Sequence, residues 1–291
     1  MSGALQFANA SAELYVPDGV AEAAALSRVT HLAIAAHQDD IEIMAYHGIA
    51  ACFGNPERWF AGVVVSNGAG CPRTGDYAVL TETEMLAVRR REQKTAAFVG
   101  EYAAVALLDY PPLENRNPDN PAPAQDLRAL LAATRPQVVY THNLADKHDA
   151  HVAVALRTLA ALRSLAPEDR PALLLGCEVW RDLDWLADAD QTLLDVSAHE
   201  NLATALLGLY DSQIDGGKRY DLAALGRRRA HATYNAPLET DATSQLSLAM
   251  DLTPLMHDAD RDPGAFVDER IARFAEDVRA RLARVRPRYR L

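Results

Sequence analysis

HLAIAAHQDDIE, residues 31–42, is the stretch from which the fold is read. HLAIAAH is a short continuous apolar run, the pattern of a strand buried on both faces of a sheet, and it ends in a polar cluster. Ile41 to Phe53 follows with few breakers apart from Gly48 and stops at Gly54-Asn55-Pro56, which predicts a helix. A buried strand running straight into a helix is the opening of a βαβ unit.

The alternation continues outward. FAGVVVSN (60–67) predicts a second strand, Thr81 to Val99 a helix stopped at Gly100, and AVALLDY (104–110) a third strand. Ala124 to Thr134 predicts a helix and QVVYTH (137–142) a strand. Between them, 67–76 is Gly-rich and 111–122 carries four prolines and three asparagines, so both predict loops. Repeated βαβ units predict a Rossmann-like, three-layer α/β sandwich with a mainly parallel central sheet, whose site lies at the C-terminal ends of the strands. His37 and His142 stand at such ends. Further on, 172–180 and 191–197 predict strands, and 199–210, 222–233 and 263–284 predict helices.

Composition narrows the function. Of 291 residues, 49% are hydrophobic and 24% charged, ordinary for a globular chain with a full core. A net charge of −11 disfavours nucleic acid and anionic lipid as partners. Cys52, Cys71 and Cys177 are scattered and odd in number, which predicts neither a disulfide framework nor a metal knuckle and fits a reducing cytoplasm. No apolar run reaches the roughly 20 residues of a membrane span, and no leader pattern opens the chain. Self-association is left open.

HQDDIE (37–42) crowds a histidine and two adjacent carboxylates onto one turn. Neighbouring carboxylates raise each other's pKa, whereas a divalent cation stabilises the ionised acids and the neutral imidazole together. The bland alternative is that Asp39 or Asp40 caps the next helix. DKHDAH (146–151) opens a helix after QVVYTH and sets His148 and His151 three apart, on one helical face. Both clusters follow predicted parallel strands and can therefore converge. Two imidazoles and a carboxylate leave positions for water and substrate, a catalytic arrangement suited to Zn2+, with Fe2+ or another divalent ion as the alternative.

These residues carry a resemblance. HQDDIE resembles the HPDDxE signature of the LmbE-like, PIG-L-type N-deacetylases, and HDAH (148–151) resembles their later HPDH. Arg89 and Glu92 in RRRE, Asp109 in LLDYP, DVS (195–197) and YDSQ (210–213) add to it. The resemblance implies an α/β deacetylase core over residues 30–215, between an N-terminal arm (1–29) and a mainly helical C-terminal extension (216–291) packed on the same domain. It further implies that His37, Asp40 and His151 hold the metal, Asp39 is the general base, and His148 is the acid and oxyanion partner. The reaction implied is removal of an acetyl or other acyl group from the amide nitrogen of a small N-acylated substrate, an N-acetylglucosamine-type glycoside. Two departures stand out: Gln38 replaces the usual proline, and the motif's aspartate is Asp149, not the residue before His151. The orienting carboxylate for a histidine is then Asp149 or Asp146.

Other residues carry weaker signals. Arg73, in the Gly-rich loop, and Asp109 and Tyr110, ending the third predicted strand, are candidate substrate contacts, each balanced by a loop-capping or solvated role. Arg89 and Glu92 are assigned a structural role, and His47 and His231 read as ordinary histidines. The basic tract 216–234 could receive a phosphate or carboxylate, or form a solvated helix face. Two rival functions are a Rossmann-like cofactor binder, which would want a GxGxxG turn that the first strand lacks, and a metal-binding relative without activity, which would have lost the base at Asp39.

Overall fold

The structure, a computed structural model, describes residues 5–289. Its centre is the strand read first, β2 as numbered from the N-terminus. The chain runs β1 (Glu13–Tyr15), α1 (Glu22–Ser27), β2 (His31–Ala35), α2 (Asp40–Met44), α3 (Tyr46–Cys52), β3 (Phe60–Ser66), α4 (Glu82–Val99) and β4 (Ala104–Tyr110). It continues through α5 (Pro112–Arg116), α6 (Ala122–Thr134), β5 (Val138–His142), α7 (Asp149–Arg163), β6 (Leu173–Cys177), β7 (Gln191–Asp195), α8 (Glu200–Gly208) and α9 (Asp211–Ile214). The last elements are α10 (Tyr220–Tyr234), β8 (Leu246–Asp251), α11 (Thr253–His257) and α12 (Pro263–Val285).

Among the described residues eight strands form one sheet in the order β1-β4-β3-β2-β5-β6-β8-β7. The two sides of β2 meet different cores, as strand alternation requires. Leu32 and Ile34 join an apolar cluster with Leu127 and Leu131 of α6 and Val154 and Leu162 of α7. Ala33 and Ala35 join a second with Ile41, Ile49 and Ala96 of α2, α3 and α4. Each fully buried Leu or Ile contributes roughly 1.5–3 kcal/mol of transfer free energy, so covering both faces is what holds these strands inside. Close approach matters too: a Cβ on Gly48 of α3 would stand 2.7 Å from the Tyr140 ring, so the residue that looked like a helix breaker lets α3 lie against the sheet.

The expectation of a mainly parallel sheet needs correction. β4, β3, β2, β5 and β6 are mutually parallel, but β1 pairs antiparallel with β4, and β8 runs antiparallel to both β6 and β7. The sheet is therefore mixed. Apolar patterning reports which faces are buried and says nothing of strand direction, which is why the error fell on the outer strands. β1 and β8 themselves went unread, the first being three half-buried residues and the second lying in a tail read as helical. The helix expected over Ile41 to Phe53 is broken at Ala45 (φ −113°, ψ 20°) into α2 and α3. α5 occupies part of the expected loop 111–122. Among the described residues no helix is long and apolar enough to cross a membrane.

For the site, the central fact is the place of β2. The chain builds β3 and β4 on one side of it and then returns to build β5 and β6 on the other. At such a reversal the loops leaving the two central strands part, opening a crevice beyond their carboxyl ends.

Candidate active site

The turn leaving β2 is tight and strained. Asp39 sits at φ 92°, a region costly for a residue with a Cβ. The His37 N–H donates to Asp40 Oδ2 across the turn (2.7 Å), so Asp40 reaches backwards. Asp39 stands at the N-cap of α2, but its side chain accepts no capping bond. Arg89, buried in α4, clamps the turn by donating to the carbonyls of Gln38 (2.9 Å) and Gly68 (3.2 Å). Gly68 is at φ 81°, and a Cβ there would meet the Arg89 guanidinium at 2.7 Å. Gln38 bridges to the β3 loop through the Asn67 carbonyl (3.3 Å). Glu92, also buried, accepts from the Ser212 N–H and hydroxyl, tying α4 to α9.

From the other side of the crevice come the residues after β5. His151 in the first turn of α7 is fully buried, its Nε2 3.2 Å from His37 Nδ1 and 3.4 Å from Asp40 Oδ2. His37 Nδ1 and Asp40 Oδ2 are themselves 3.2 Å apart. Asp146 Oδ1 faces the far nitrogen of His151, Nδ1, at 3.4 Å and also accepts the His148 N–H (2.9 Å). Asp146 Oδ2 accepts the Trp180 N–H (3.1 Å). His148 is the N-cap of α7, with Nδ1 accepting the Ala150 N–H (3.2 Å), which puts its ring proton on Nε2. Asp149 is exposed beside it, where its charge suits the positive end of α7.

Fully buried His142 ends β5, and sequence reasoning left its part open. Its Nε2 accepts the Ala36 N–H (2.9 Å), so that lone pair is occupied, and its ring stacks on His151 with centroids 3.9 Å apart. His142 thus joins the ends of β2 and β5 and backs the cluster.

Electrostatics follow from burial. Asp40 is held well below the usual carboxylate range: burial pushes it up, but the surrounding His151, His142 and His37 outweigh that. Asp39 is pushed well above it, first by burial and then by the Asp40 charge, with Arg89 opposing. Burial, with neighbouring His37 and His151, lowers His148 and favours its neutral ring.

The donor set fits a divalent cation. Asp40 Oδ2, His37 Nδ1 and His151 Nε2 form a triangle with edges of 3.2, 3.2 and 3.4 Å. Ligands about 2.0–2.1 Å from a tetrahedral Zn2+ lie roughly 3.3–3.4 Å from one another. His37 Nδ1 and His151 Nε2 lie within hydrogen-bond reach of each other and of Asp40 Oδ2, so without a cation the ring protons are shared inside the triangle. His37, His148 and His151, and separately Asp40, His142 and His151, bring their ligating atoms within 4.8 Å of one another.

The cluster floors a cavity of about 410 Å³. His37, Asp39, Asp40 and His148 line its base, the Gly68–Pro72 loop and Arg116 one wall, and Trp180, Gln213, Lys218 and Tyr220 another. The Lys218 ammonium lies 5.2 Å from the Trp180 ring, and Tyr220 meets Trp180 edge-on at 6.0 Å. Three expected substrate contacts are not in this lining. Arg73 donates to the Leu80 carbonyl and pairs with Glu82 (3.4 Å). Asp109 pairs with Arg90 (2.7 Å), and the Tyr110 hydroxyl donates to Asp126 (2.6 Å). Trp180 was missed because it fell at the end of a stretch read as strand; β6 stops at Cys177, leaving Trp180 free to turn into the crevice.

An α/β fold whose central strands deliver an imidazole and carboxylate cluster to one crevice has groups there that could hold a metal ion. The particular family is indicated by comparison: residues 32–162 match the PIG-L family, described as GlcNAc-PI de-N-acetylase. No curated protein matches the chain. Among solved structures it is similar to N,N'-diacetylchitobiose deacetylase from Pyrococcus horikoshii (15% identity, TM-score 0.60, covering 79% of this chain and 85% of that one). It is similar to the conserved protein TT1542 from Thermus thermophilus (20%, 0.55, 77% and 94%). It is also similar to GalB, the 4-carboxy-2-hydroxymuconate hydratase from Pseudomonas putida (17%, 0.55, 77% and 96%). A deacetylase and a hydratase thus share this fold, so the reaction must be argued from the site.

Proposed function

We propose that this protein is a metal-dependent N-deacetylase that hydrolyses the amide of a small N-acylated substrate, an N-acetylglucosamine-type glycoside. The observation that carries the reading is the triangle of Asp40 Oδ2, His37 Nδ1 and His151 Nε2 on the floor of an open cavity, with Asp39 and His148 beside it. The family match and the chitobiose deacetylase neighbour support the substrate class. The five parallel strands, in order β4-β3-β2-β5-β6, support a Rossmann-like description of the core.

His37, Asp40 and His151 would hold the cation, Zn2+ by the donor set, with Fe2+ the alternative. When bound, it supplies Lewis acidity to the attacking water and the amide carbonyl. Asp39, lining the cavity next to Asp40, takes the proton of that water. His148 donates from Nε2–H to the oxyanion that develops as the carbonyl is attacked, and the C–N bond breaks as the amine takes up the proton that Asp39 removed from the water. Trp180 and Tyr220 give a sugar ring a flat apolar face, and Lys218 and Arg116 supply charge at the rim.

The test is amine release, read with fluorescamine, from a panel of N-acetylated sugars, before and after chelation and again after zinc restoration. Release that chelation stops and zinc restores supports the reading. Release indifferent to chelation, or a purified protein that takes up no metal, overturns it.

A further inference from the structure

The last helix leaves the most apolar surface uncovered. α12 is anchored at its start: the Asp262 side chain accepts the Ala265 N–H (2.8 Å), Phe266 is buried, and Arg270 lies 3.2 Å over the Phe266 ring. Arg273 forks onto Asp190 with two 2.6 Å bonds. Beyond Arg270 every described residue except Ala275 is exposed, so the helix projects from the body and does not lie along it.

One face of this projection is apolar. Ile271, Phe274, Val278, Leu282 and Val285, continued by Tyr289 in the turn that follows, are large side chains 38–68% exposed. Their steps are three, four, four, three and four residues, so the triplet Ile271, Phe274, Val278 recurs after eleven residues as Leu282, Val285, Tyr289. An eleven-residue repeat, about 3.67 residues per turn, nearly matches the undistorted helix, so the stripe stays on one face throughout. A projecting helix of this length is marginal alone in water, and a stripe of this kind is stabilised by cover.

Charge says what covers it. Before Val278 the helix carries Asp268, Glu269, Glu276 and Asp277, while its Arg270 and Arg273 are already engaged and Glu269 pairs with Arg261. From Val278 to Tyr289 there is no acid, and Arg279, Arg281, Arg284, Arg286 and Arg288 follow one another, Arg281 also reaching back to Asp277 at 3.4 Å. A second copy running antiparallel sets acidic half against basic half and opposes the helix dipoles, whereas a parallel copy would set arginines side by side. The stripe is also nearly symmetric about Ala280: Ile271 and Tyr289 stand nine residues either side of it, Val278 and Leu282 two, and Phe274 and Val285 six and five. A twofold axis there lays apolar residues on apolar residues, as an isologous contact requires. The bodies then sit at opposite ends of the pair.

We infer that α12 is a dimerisation helix: two copies of this chain pair antiparallel through Ile271, Phe274, Val278, Leu282, Val285 and Tyr289, about a twofold axis near Ala280. The full-length protein should sediment as a dimer across low to high micromolar concentration, and Leu282→Glu as a monomer with the same circular dichroism and amine-release activity. Under mild oxidation, a mixture of Ile271→Cys and Tyr289→Cys proteins should form the 271–289 disulfide, identified by peptide mass, while neither variant cross-links with itself. A monomeric wild type, a dimer that survives Leu282→Glu, or self-linked Ile271→Cys protein would each overturn the proposal.

Discussion

Asp146 holds its Oδ1 3.4 Å from Nδ1 of His151, on the side of the ring opposite Asp40. Two carboxylates therefore flank one imidazole, one facing Nδ1 and the other sharing the triangle with Nε2. Carboxylates behind a ligating histidine set its tautomer and basicity, and losing one typically costs about 10- to 100-fold in metal affinity. Asp146→Asn should weaken zinc binding by that order in a competition titration. Asp149→Asn, on an exposed side chain, should leave it within about twofold, because a surface charge at a helix start contributes only a few tenths of a kcal/mol to 1 kcal/mol. Equal effects of the two would remove Asp146 from this role.

Asp39 and His151 should separate under mutation. Asp39→Ala leaves the three triangle atoms in place, so metal content by mass spectrometry should hold while turnover falls by roughly 10²- to 10⁴-fold, the usual span for loss of a general base. His151→Ala removes a triangle corner and should lose metal and turnover together. An active Asp39→Ala enzyme would reassign the base.

How much of this could be read from the chain alone follows from what periodicity encodes. β2, β3, β4 and β5 were legible because buried parallel strands are continuous apolar runs, and HQDDIE and DKHDAH because polar side chains crowded at strand ends have few other uses. β8 was not, because LSLAMD lies in a tail dominated by helices and owes its place to partners on both sides. The cavity wall was hardest. Asp109 and Tyr110 sit at the expected strand end, yet Arg90 and Asp126 turn them away. Trp180 and Lys218 lie in loops whose course only the folded chain fixes.

That wall should show in KM. Trp180 and Lys218 line the cavity wall, Trp180 stacked beside His148 with ring centroids 6.5 Å apart, and neither takes part in the proposed proton transfers, so they would hold substrate and transition state alike. Trp180→Ala removes the flat face, and a several-fold to roughly tenfold rise in KM with kcat changed by less than about threefold is expected. Lys218→Ala should act the same way, and more strongly on substrates bearing an anionic group. A fall in kcat at unchanged KM would place Trp180 in the chemistry.

The final prediction concerns stability at a distance from the cavity. His231 of α10 lies 3.0 Å from Glu178 Oε1, and Glu178 also accepts the N–H groups of Leu183 (2.7 Å) and Leu248 (3.0 Å), tying α10 to β8. Burial disfavours the charged ring and nearby Arg227 adds to that, but the Glu178 carboxylate, with Asp184, outweighs both and raises His231 above its ordinary value near 6.5. The native state then binds the proton more tightly than the unfolded chain does. The stabilisation is complete below about pH 6.5 and is lost as pH rises through the raised value. His231→Gln keeps a donor near Glu178 but loses the charge, so in urea unfolding at constant chelator it should destabilise the protein clearly at pH 5.5 and progressively less toward pH 9. A loss of equal size at both ends would show that His231 acts by packing alone.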